Sequence, residues 1–264
     1  MMNGIRINDV KNAIGQFRTV KDLHQEAYDK HVQALKNGSE RVVPPSKPGS
    51  IESVNVNDTL SVVMGKLPTP HQKWTSEAVD KLLEYPDREE ANGMLVGHIQ
   101  KEFKLPLDWI PDSFTEYLNI LIGRHYFPDD WRERPSSIKF HHDKPPWVNY
   151  QEKYEFNPPH AHSGFFSYNI WKRIPYDIEE EKKYYEKASN SSPGSFSFIS
   201  PLLSRTVPYV SHPLAVKTFD MDKDWEECIC IFPSQLQHFV TPFRTTDDIR
   251  VSIAGNLILD YNNA

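Results

Sequence analysis

The sequence is poor in cysteine, and its two cysteines cannot readily pair with each other. Cys228 and Cys230 are the only cysteines among 264 residues. On a strand, two residues at this spacing share one face, and a disulfide between them would be badly strained. We therefore expect both to be reduced residues of the protein core.

The sequence also lacks segments that would place the chain in or across a membrane. It contains no uninterrupted apolar run of roughly 18 residues, the length that a membrane helix needs. Residues 1–6 (MMNGIR) have no apolar signal-peptide core. We expect a cytoplasmic protein that has no membrane partner.

Charge of one sign is not strongly in excess. The chain has 36 acidic and 30 basic residues, a formal net charge of −6 and a pI near 6.0. This balance argues against a strongly basic nucleic-acid binder, although a local basic groove would not alter the sum. Nucleic acid is not an expected partner, and the oligomeric state stays open.

The first part of the chain predicts helices. The length of 264 residues suits one barrel domain with additions. Residues 8–36 have apolar positions at intervals of three or four, which predicts a helix, and residues 37–57 are rich in Pro, Gly, Ser and Asn, which predicts an exposed linker. Residues 58–130 then predict a helical lead-in that packs on the barrel, with short helices over 78–103 and a helix over 114–122 capped by Asp112 and Ser113.

Residues 131–264 have the pattern of many short strands. Aromatic and β-branched runs alternate there with Pro, Gly and Asn. The predicted strands are 137–141, 147–156, 165–174, 195–199, 214–219, 228–232, 238–242 and 249–259, and a charged helix is predicted over 176–190. Eight strands are enough for a double-stranded β-helix (jelly-roll, cupin-like) core, so the predicted fold is mainly β with flanking helices.

Three histidines have the spacing of a metal site. Residues 157–164 (NPPHAHSG) place His160 and His162 at i and i+2, where strand alternation puts both rings on one face. His238 follows the segment 232–237 (FPSQLQ) and opens a new strand, which suits a third ligand. Imidazole is a ligand of oxygen-activating iron. The chain has eleven histidines, and those without a companion at ligand spacing are His24, His31, His71, His98, His125 and His212.

A basic and a hydroxyl side chain on one later strand predict a carboxylate site. Arg250 and Ser252 share a strand face, and an arginine there can donate two parallel hydrogen bonds to a carboxylate. Further positioning contacts are predicted for Tyr150, Gln151 and Asn256. Arg250 as a surface residue at a strand edge is the alternative.

Together these motifs resemble a known enzyme family. The order HxH, distant His and RxS, with the pattern WxN…NPxHxHSG from Trp147 onward, resembles the iron(II)- and 2-oxoglutarate-dependent oxygenases, and most closely the short oxygenases encoded by cyanobacterial phages. The resemblance covers residues 137–260.

The resemblance implies Fe(II) as cofactor and 2-oxoglutarate as co-substrate. It assigns His160, His162 and His238 to the iron, and Arg250 and Ser252 to the distal carboxylate of 2-oxoglutarate. O2 and an organic substrate that the sequence does not identify would be the other partners. The implied reaction is hydroxylation of a C–H bond with release of succinate and carbon dioxide, in the host cytoplasm if a phage encodes the chain.

One position departs from the family, and it leaves alternatives open. The family motif is HxD or HxE, whereas position 162 is histidine. His141 and Asp143 spell an HxD motif further upstream, and His162 with Gly164 spells the HxG motif of a halogenating branch. A three-histidine cupin-type dioxygenase that needs no 2-oxoglutarate, and a non-catalytic jelly-roll binding or phage structural module, are the other interpretations.

Overall fold

Two antiparallel sheets contain the strands of the structure, a computed structural model that describes residues 42–56, 60–128, 139–187, 192–200 and 216–260. The helix predicted over residues 8–36 lies outside these ranges. The larger sheet contains β1 (Ile51–Asn55), β2 (Ser61–Lys66), β3 (Glu102–Lys104), β4 (Phe140–His141), β5 (Trp147–Gln151), β7 (Phe166–Arg173), β10 (Cys228–Pro233) and β12 (Arg250–Leu259). The smaller sheet contains β6 (Asn157–His160), β8 (Phe196–Ile199), β9 (Val216–Phe219) and β11 (His238–Val240).

The chain passes repeatedly from one sheet to the other. The larger sheet has the order β1-β2-β10-β7-β12-β5-β3, with β4 paired to β12, and the smaller sheet has the order β6-β11-β8-β9. From β5 onward the strands therefore alternate between the sheets, except that β8 and β9 are neighbours in the smaller one. Residues that are far apart in sequence come together between the two sheets.

Strand alternation gives the larger sheet two differently packed faces. Ile229 and Ile231 of β10 pack in the cluster that includes the helices, whereas Cys228, Cys230 and Phe232 pack in the cluster that includes the smaller sheet. This alternation is the period of two of a β-strand. Both cysteines are free and fully buried, as the sequence predicted.

Two long helices cover the outer face of the larger sheet. They are α1 (Thr69–Glu84) and α2 (Asp112–Tyr126), and each follows a proline at its N-cap. The predicted cap of α2 by Asp112 and Ser113 is wrong, because Pro111 occupies the cap and no side chain bonds there. No helix in the described part of the chain is long and apolar enough to cross a bilayer.

The eight predicted strands and the charged helix are present, with shifted ends, whereas four strands were not predicted. Residues 51–55 form β1, which pairs with β2, so this part of the expected linker belongs to the sheet. Residues 94–103, expected to be helical, contain the end of a 3-10 turn (Asn92–Met94) and the start of β3. Of the apolar residues at helical spacing there, Phe103 packs against the core from β3, whereas Met94 is exposed. Further 3-10 turns are Leu107–Trp109 and Lys223–Trp225.

A buried carboxylate on the short helix α3 (Ile178–Lys183) holds the loop that leads into β12. Glu181 is fully buried and accepts hydrogen bonds from Arg244 N–H (2.9 Å) and from Thr245 N–H (2.7 Å) and Oγ1 (2.5 Å). Asp177 caps the helix by accepting from Glu179 N–H at 2.8 Å. The loop between β11 and β12 is thereby fixed five residues before Arg250.

Replacing Glu181 with alanine should therefore destabilise the protein. The change removes the buried, charged acceptor of two backbone N–H groups and a hydroxyl, so we expect a loss of about 3 kcal/mol in the free energy of unfolding. Urea unfolding followed by circular dichroism measures it. Glu179→Ala, an exposed position on the same helix, is the control and should change stability by less than about 0.5 kcal/mol. Equal effects of the two changes would contradict this account.

Candidate metal centre and cleft

Three histidine rings converge between the two sheets. His160 at the end of β6 lies directly opposite His238 at the start of β11 in the antiparallel pairing. His162 follows β6, and its N–H donates to Ser234 O at 2.8 Å, while Gln235 Nε2 donates to His162 O at 2.9 Å. One ring nitrogen of each histidine lies within 4.8 Å of those of the others. The structure therefore brings together the three residues that the sequence singled out.

Backbone carbonyls fix the tautomers of two of the rings. His160 Nδ1 lies 2.7 Å from Pro158 O, and His238 Nδ1 lies 3.0 Å from Leu236 O. A carbonyl oxygen only accepts, so each Nδ1 carries the proton and each Nε2 of a neutral ring keeps its lone pair. Such bonds orient metal-binding histidines and increase their basicity as ligands.

Burial keeps the three rings neutral near pH 7. It lowers the pKa of His160, lowers that of His162 to about 4 and lowers that of His238 well below its ordinary value. Repulsion from the neighbouring imidazoles lowers the pKa of His162 and His238 further. A metal ion would therefore meet little competition from protons at these nitrogens.

The spacing and chemistry of the rings fit one transition-metal ion. The Nε2 atoms of His162 and His238 are 3.2 Å apart, and two nitrogens bound at about 2.1 Å and nearly at right angles would be roughly 3 Å apart. Imidazole suits iron, zinc, copper and nickel. No Asp or Glu of the described residues belongs to the group. The donor set fits a divalent metal ion without selecting iron.

One residue of each rival motif has a structural role. His142, inside the HxD motif, has its Nε2 2.9 Å from Tyr168 Oη, and neither His141 nor Asp143 belongs to a group of three metal-binding side chains among the described residues. Gly164 has a φ of 105°, and a Cβ there would lie 2.9 Å from Leu257 O. Glycine at 164 is thus required by the backbone whatever His162 binds.

A cleft joins the histidines to the predicted carboxylate site. With its open mouth it encloses about 790 Å³, and both sheets line it. Arg250 and Ser252 lie on its wall with the three histidines. Arg250 is only 3% exposed, and its Nη1 has no hydrogen-bond partner among the described residues. The alternative of a surface arginine is therefore wrong.

The arginine is placed to receive an anion. A buried guanidinium nitrogen without a partner is costly, and a bound carboxylate would satisfy it. Trp171 Nε1, on the same cleft wall, is a second buried donor without a partner in the described part of the chain. Ser252 Oγ accepts from Asn149 Nδ2 at 3.1 Å. These groups form a donor-rich end of the cleft.

Two predicted positioning residues do not line the cleft. Tyr150 pairs with Val251, so it faces the core on the opposite side of the sheet from Arg250, and its hydroxyl donates to Val79 O at 2.8 Å. Asn256 shares the face of Arg250 but accepts from Ser167 Oγ at 2.7 Å and does not reach the cleft. Gln151, opposite Arg250 in the pairing, does line it.

Other cleft residues were missed by sequence reasoning. Trp147 and Trp171 line the cleft, and the centroid of the Trp147 ring lies 5.5 Å from that of the His162 ring. Asn149 lies between Trp147 and Gln151 on the same face of β5, so alternation alone could have identified it. Glu102 also lines the cleft, but its segment was predicted to be helical and gave no such signal.

Removing one histidine should abolish metal binding. We expect His238→Ala to lower the affinity for Fe(II), measured anaerobically by calorimetry, by at least about 100-fold, because the two remaining imidazoles lack the third ligand and its geometry. His98→Ala is the control, since His98 is exposed and outside the group. Equal affinities of the wild type and His238→Ala would contradict the assignment of these three ligands.

The metal-free protein should lose stability in mild acid. The native pKa of His162 is about 4 against an ordinary 6.5, so the unfolded chain binds the proton first as the pH falls through about 6.5. As the pH falls from about 6.5 to about 4, this group lowers the free energy of unfolding by at most about 3 kcal/mol. Urea unfolding across this range should show a shallower pH dependence for His162→Gln than for the wild type. Parallel curves would contradict the neutral buried state of His162.

Comparison with known proteins gives distant structural likenesses. The sequence matches no protein-family model and no curated protein. A Pseudomonas putida prolyl-4-hydroxylase has 12% identity and a TM-score of 0.44, over 73% of this chain and 88% of that one. A 2OG-Fe(II) oxygenase family oxidoreductase of Burkholderia pseudomallei has 14% identity and a TM-score of 0.40, over 77% of this chain and 85% of that one. A third likeness is to a Trichoplax adhaerens prolyl hydroxylase in complex with a hypoxia inducible factor oxygen degradation domain peptide fragment. It has 11% identity and a TM-score of 0.44, over 92% of this chain and 93% of that one.

Proposed function

We propose that this chain is an iron(II)- and 2-oxoglutarate-dependent oxygenase. The reaction would oxidise, in its default form hydroxylate, a C–H bond of an organic substrate and release succinate and carbon dioxide. The observation that supports it most is that three neutral histidines share one cleft with a buried arginine whose Nη1 has no partner among the described residues. The sequence motifs of the resembled family fall on these same residues.

The strand order supports a double-stranded β-helix as the fold of the proposed enzyme. Beginning at β5, the strands contribute alternately to the sheet β10-β7-β12-β5 and to the sheet β6-β11-β8-β9, apart from the consecutive strands β8 and β9 of the second sheet. Two facing four-stranded sheets with this alternation are the jelly-roll arrangement. In this fold the cleft lies between the sheets, where the histidines and Arg250 are found.

His160, His162 and His238 would hold the iron, which when bound supplies the oxygen-activating chemistry. The chain contributes ring orientation through Pro158 O and Leu236 O. Aromatic side chains surround the group as well. The Phe232 and Phe196 ring centroids lie 4.8 Å and 5.6 Å from that of His238. These rings limit the access of water to the site.

Arg250 and Ser252 would bind the distal carboxylate of 2-oxoglutarate. The guanidinium offers a charged donor, since its Nη1 has no partner in the described ranges, and Ser252 follows two positions later on the same face of β12. Trp171 Nε1 is a further donor on this wall. The role of the chain is to fix the co-substrate relative to the metal-binding rings, so that the reacting groups meet in one orientation.

A second function has one specific observation in its favour. The metal-binding group contains three imidazoles and no carboxylate from the described residues, which is the ligand set of a cupin-type dioxygenase that chelates its own substrate. Arg250 would then bind a carboxylate of that substrate. The two functions differ in whether 2-oxoglutarate binds at all.

Anaerobic titration of the Fe(II)-loaded protein with 2-oxoglutarate separates these functions. We expect a visible charge-transfer band in the wild type and a loss of at least about tenfold in 2-oxoglutarate affinity in Arg250→Ala, because a charge-assisted bidentate contact disappears. Arg244→Ala is the matched control, since Arg244 lies outside the cleft against Tyr185. Its affinity should equal that of the wild type.

The opposite results are informative too. A wild type that binds iron but gives no band favours the cupin-type reaction and rules out the proposal. A wild type that binds no iron at all favours a non-catalytic jelly-roll module.

A further inference from the structure

One acidic side chain in the cleft has no part in the proposed metal or co-substrate sites. Glu102 on β3 lines the cleft and is only 1% exposed. Among the described residues its only hydrogen-bond donor is Asn92 Nδ2, at a long 3.3 Å from Oε2. A buried carboxylate normally accepts several short hydrogen bonds or pairs with a cation, so Glu102 is poorly satisfied.

The nearby lysines are engaged elsewhere. Lys104 on the same strand pairs with Glu89 at 2.8 Å, and Lys101 pairs with Glu152 at 2.6 Å. The neighbouring charge is instead that of Glu155. Burial first, and then the Glu155 carboxylate, raises the pKa of Glu102 to about 7. Among the described residues Glu102 has no ion pair with a cation.

A second acceptor lies beside the first. Asn149 on β5 is the direct cross-strand partner of Glu102 and is 5% exposed. Its Nδ2 donates to Ser252, and its Oδ1 has no partner among the described residues. Cross-strand neighbours place their side chains on the same face of a sheet. Two acceptors side by side suit a group with several N–H donors.

The adjoining rim of the cleft is apolar and tightly built. Met94 and Val96 line it and are 58% and 55% exposed. A Cβ on Gly97 would lie 2.0 Å from Asn157 Oδ1 and 3.4 Å from Glu102 Oε1, so a side chain there would fill the space beside the carboxyl group. The rim can contact a carbon chain whose polar end reaches Glu102.

We propose that Glu102 and Asn149 form a substrate subsite for a protonated amine or guanidinium group, with Met94 and Val96 contacting the adjoining apolar part. This inference rests on the proposed function, because it assigns the bound group to a substrate of that enzyme. It adds the chemical class of that group. A bound cation donates hydrogen bonds to both acceptors and neutralises the carboxylate, which burial has separated from water. A second metal ion does not fit, because no group of three metal-binding side chains in the described ranges includes Glu102.

The test uses two probes that differ in charge but hardly in shape. Metal-free full-length protein is titrated with n-butylguanidinium and with n-butylurea, and binding is followed by NMR chemical shifts. We expect the wild type to bind the cation at least about tenfold more tightly than the urea. Glu102→Gln should remove this preference, and Glu102→Asp should keep part of it. Glu152→Gln, an exposed carboxylate on the neighbouring loop, is the control and should keep it fully.

Two outcomes would overturn the subsite. They are equal binding of both probes by the wild type, and a cation preference that survives in Glu102→Gln. Thermal unfolding verifies that the glutamine variant is folded, which we expect because the change removes a buried charge without changing shape. Since neither metal nor 2-oxoglutarate is present, the result is independent of the charge-transfer titration. A preference lost in Glu102→Gln would stand even if the wild type gave no band with 2-oxoglutarate.

Discussion

The antiparallel pairing of β6 with β11 is the constraint on which the candidate site depends. It sets His160 directly opposite His238, and the chain after β6 then returns His162 to the same space. A slip of one residue in a strand turns its side chains to the opposite face. The metal-binding group therefore exists only in this register. The backbone hydrogen bond of His162 to Ser234, next to β10, fixes the third ring to the same frame.

Along the strands of the larger sheet, successive residues face the core and the cleft in turn. Along β12, Val251 and Ile253 belong to the core under the helices, whereas Arg250 and Ser252 line the cleft. Because α1 and α2 cover the outer face, the inner face is free to carry polar groups between the sheets. Glu181 adds to this by fixing the loop before Arg250. The buried contacts of β12 and of the loop before it therefore fix the position of Arg250.

The charges of the cleft are arranged in distinct regions. The three rings are neutral because burial disfavours their protonation, which leaves lone pairs for a metal ion. Arg250 supplies a positive group on one part of the wall, and Glu102 supplies an acidic group on the edge strand β3. Each of the two charged side chains lacks a full set of partners within the described residues. Such unsatisfied groups are natural contacts for ligands of opposite charge.

Short-range spacing made part of the site predictable, although β6 ends at His160 and His162 follows it. His160 with His162, and Arg250 with Ser252, follow from spacing alone, and the distant His238 required the resemblance to a family. Tyr150 was assigned to the co-substrate site, but it is the direct neighbour of Gln151 on β5. It therefore points to the opposite face of the sheet, into the core. The strand β6 escaped prediction because two prolines interrupt it, which an edge strand tolerates.

Glu102 escaped for a different reason. Met94, Leu95, Ile99 and Phe103 have helical spacing, but the segment is extended, and its contacts with β5 are set by tertiary pairing that no local pattern encodes.

The most direct test of the central claim is an anaerobic crystal structure of the full chain with Fe(II) and 2-oxoglutarate. The account predicts one metal ion bound by Nε2 of His160, His162 and His238, and 2-oxoglutarate with its distal carboxylate on Arg250 and its other end at the metal. A metal ion held by other residues, or 2-oxoglutarate bound without contact to Arg250, would contradict it.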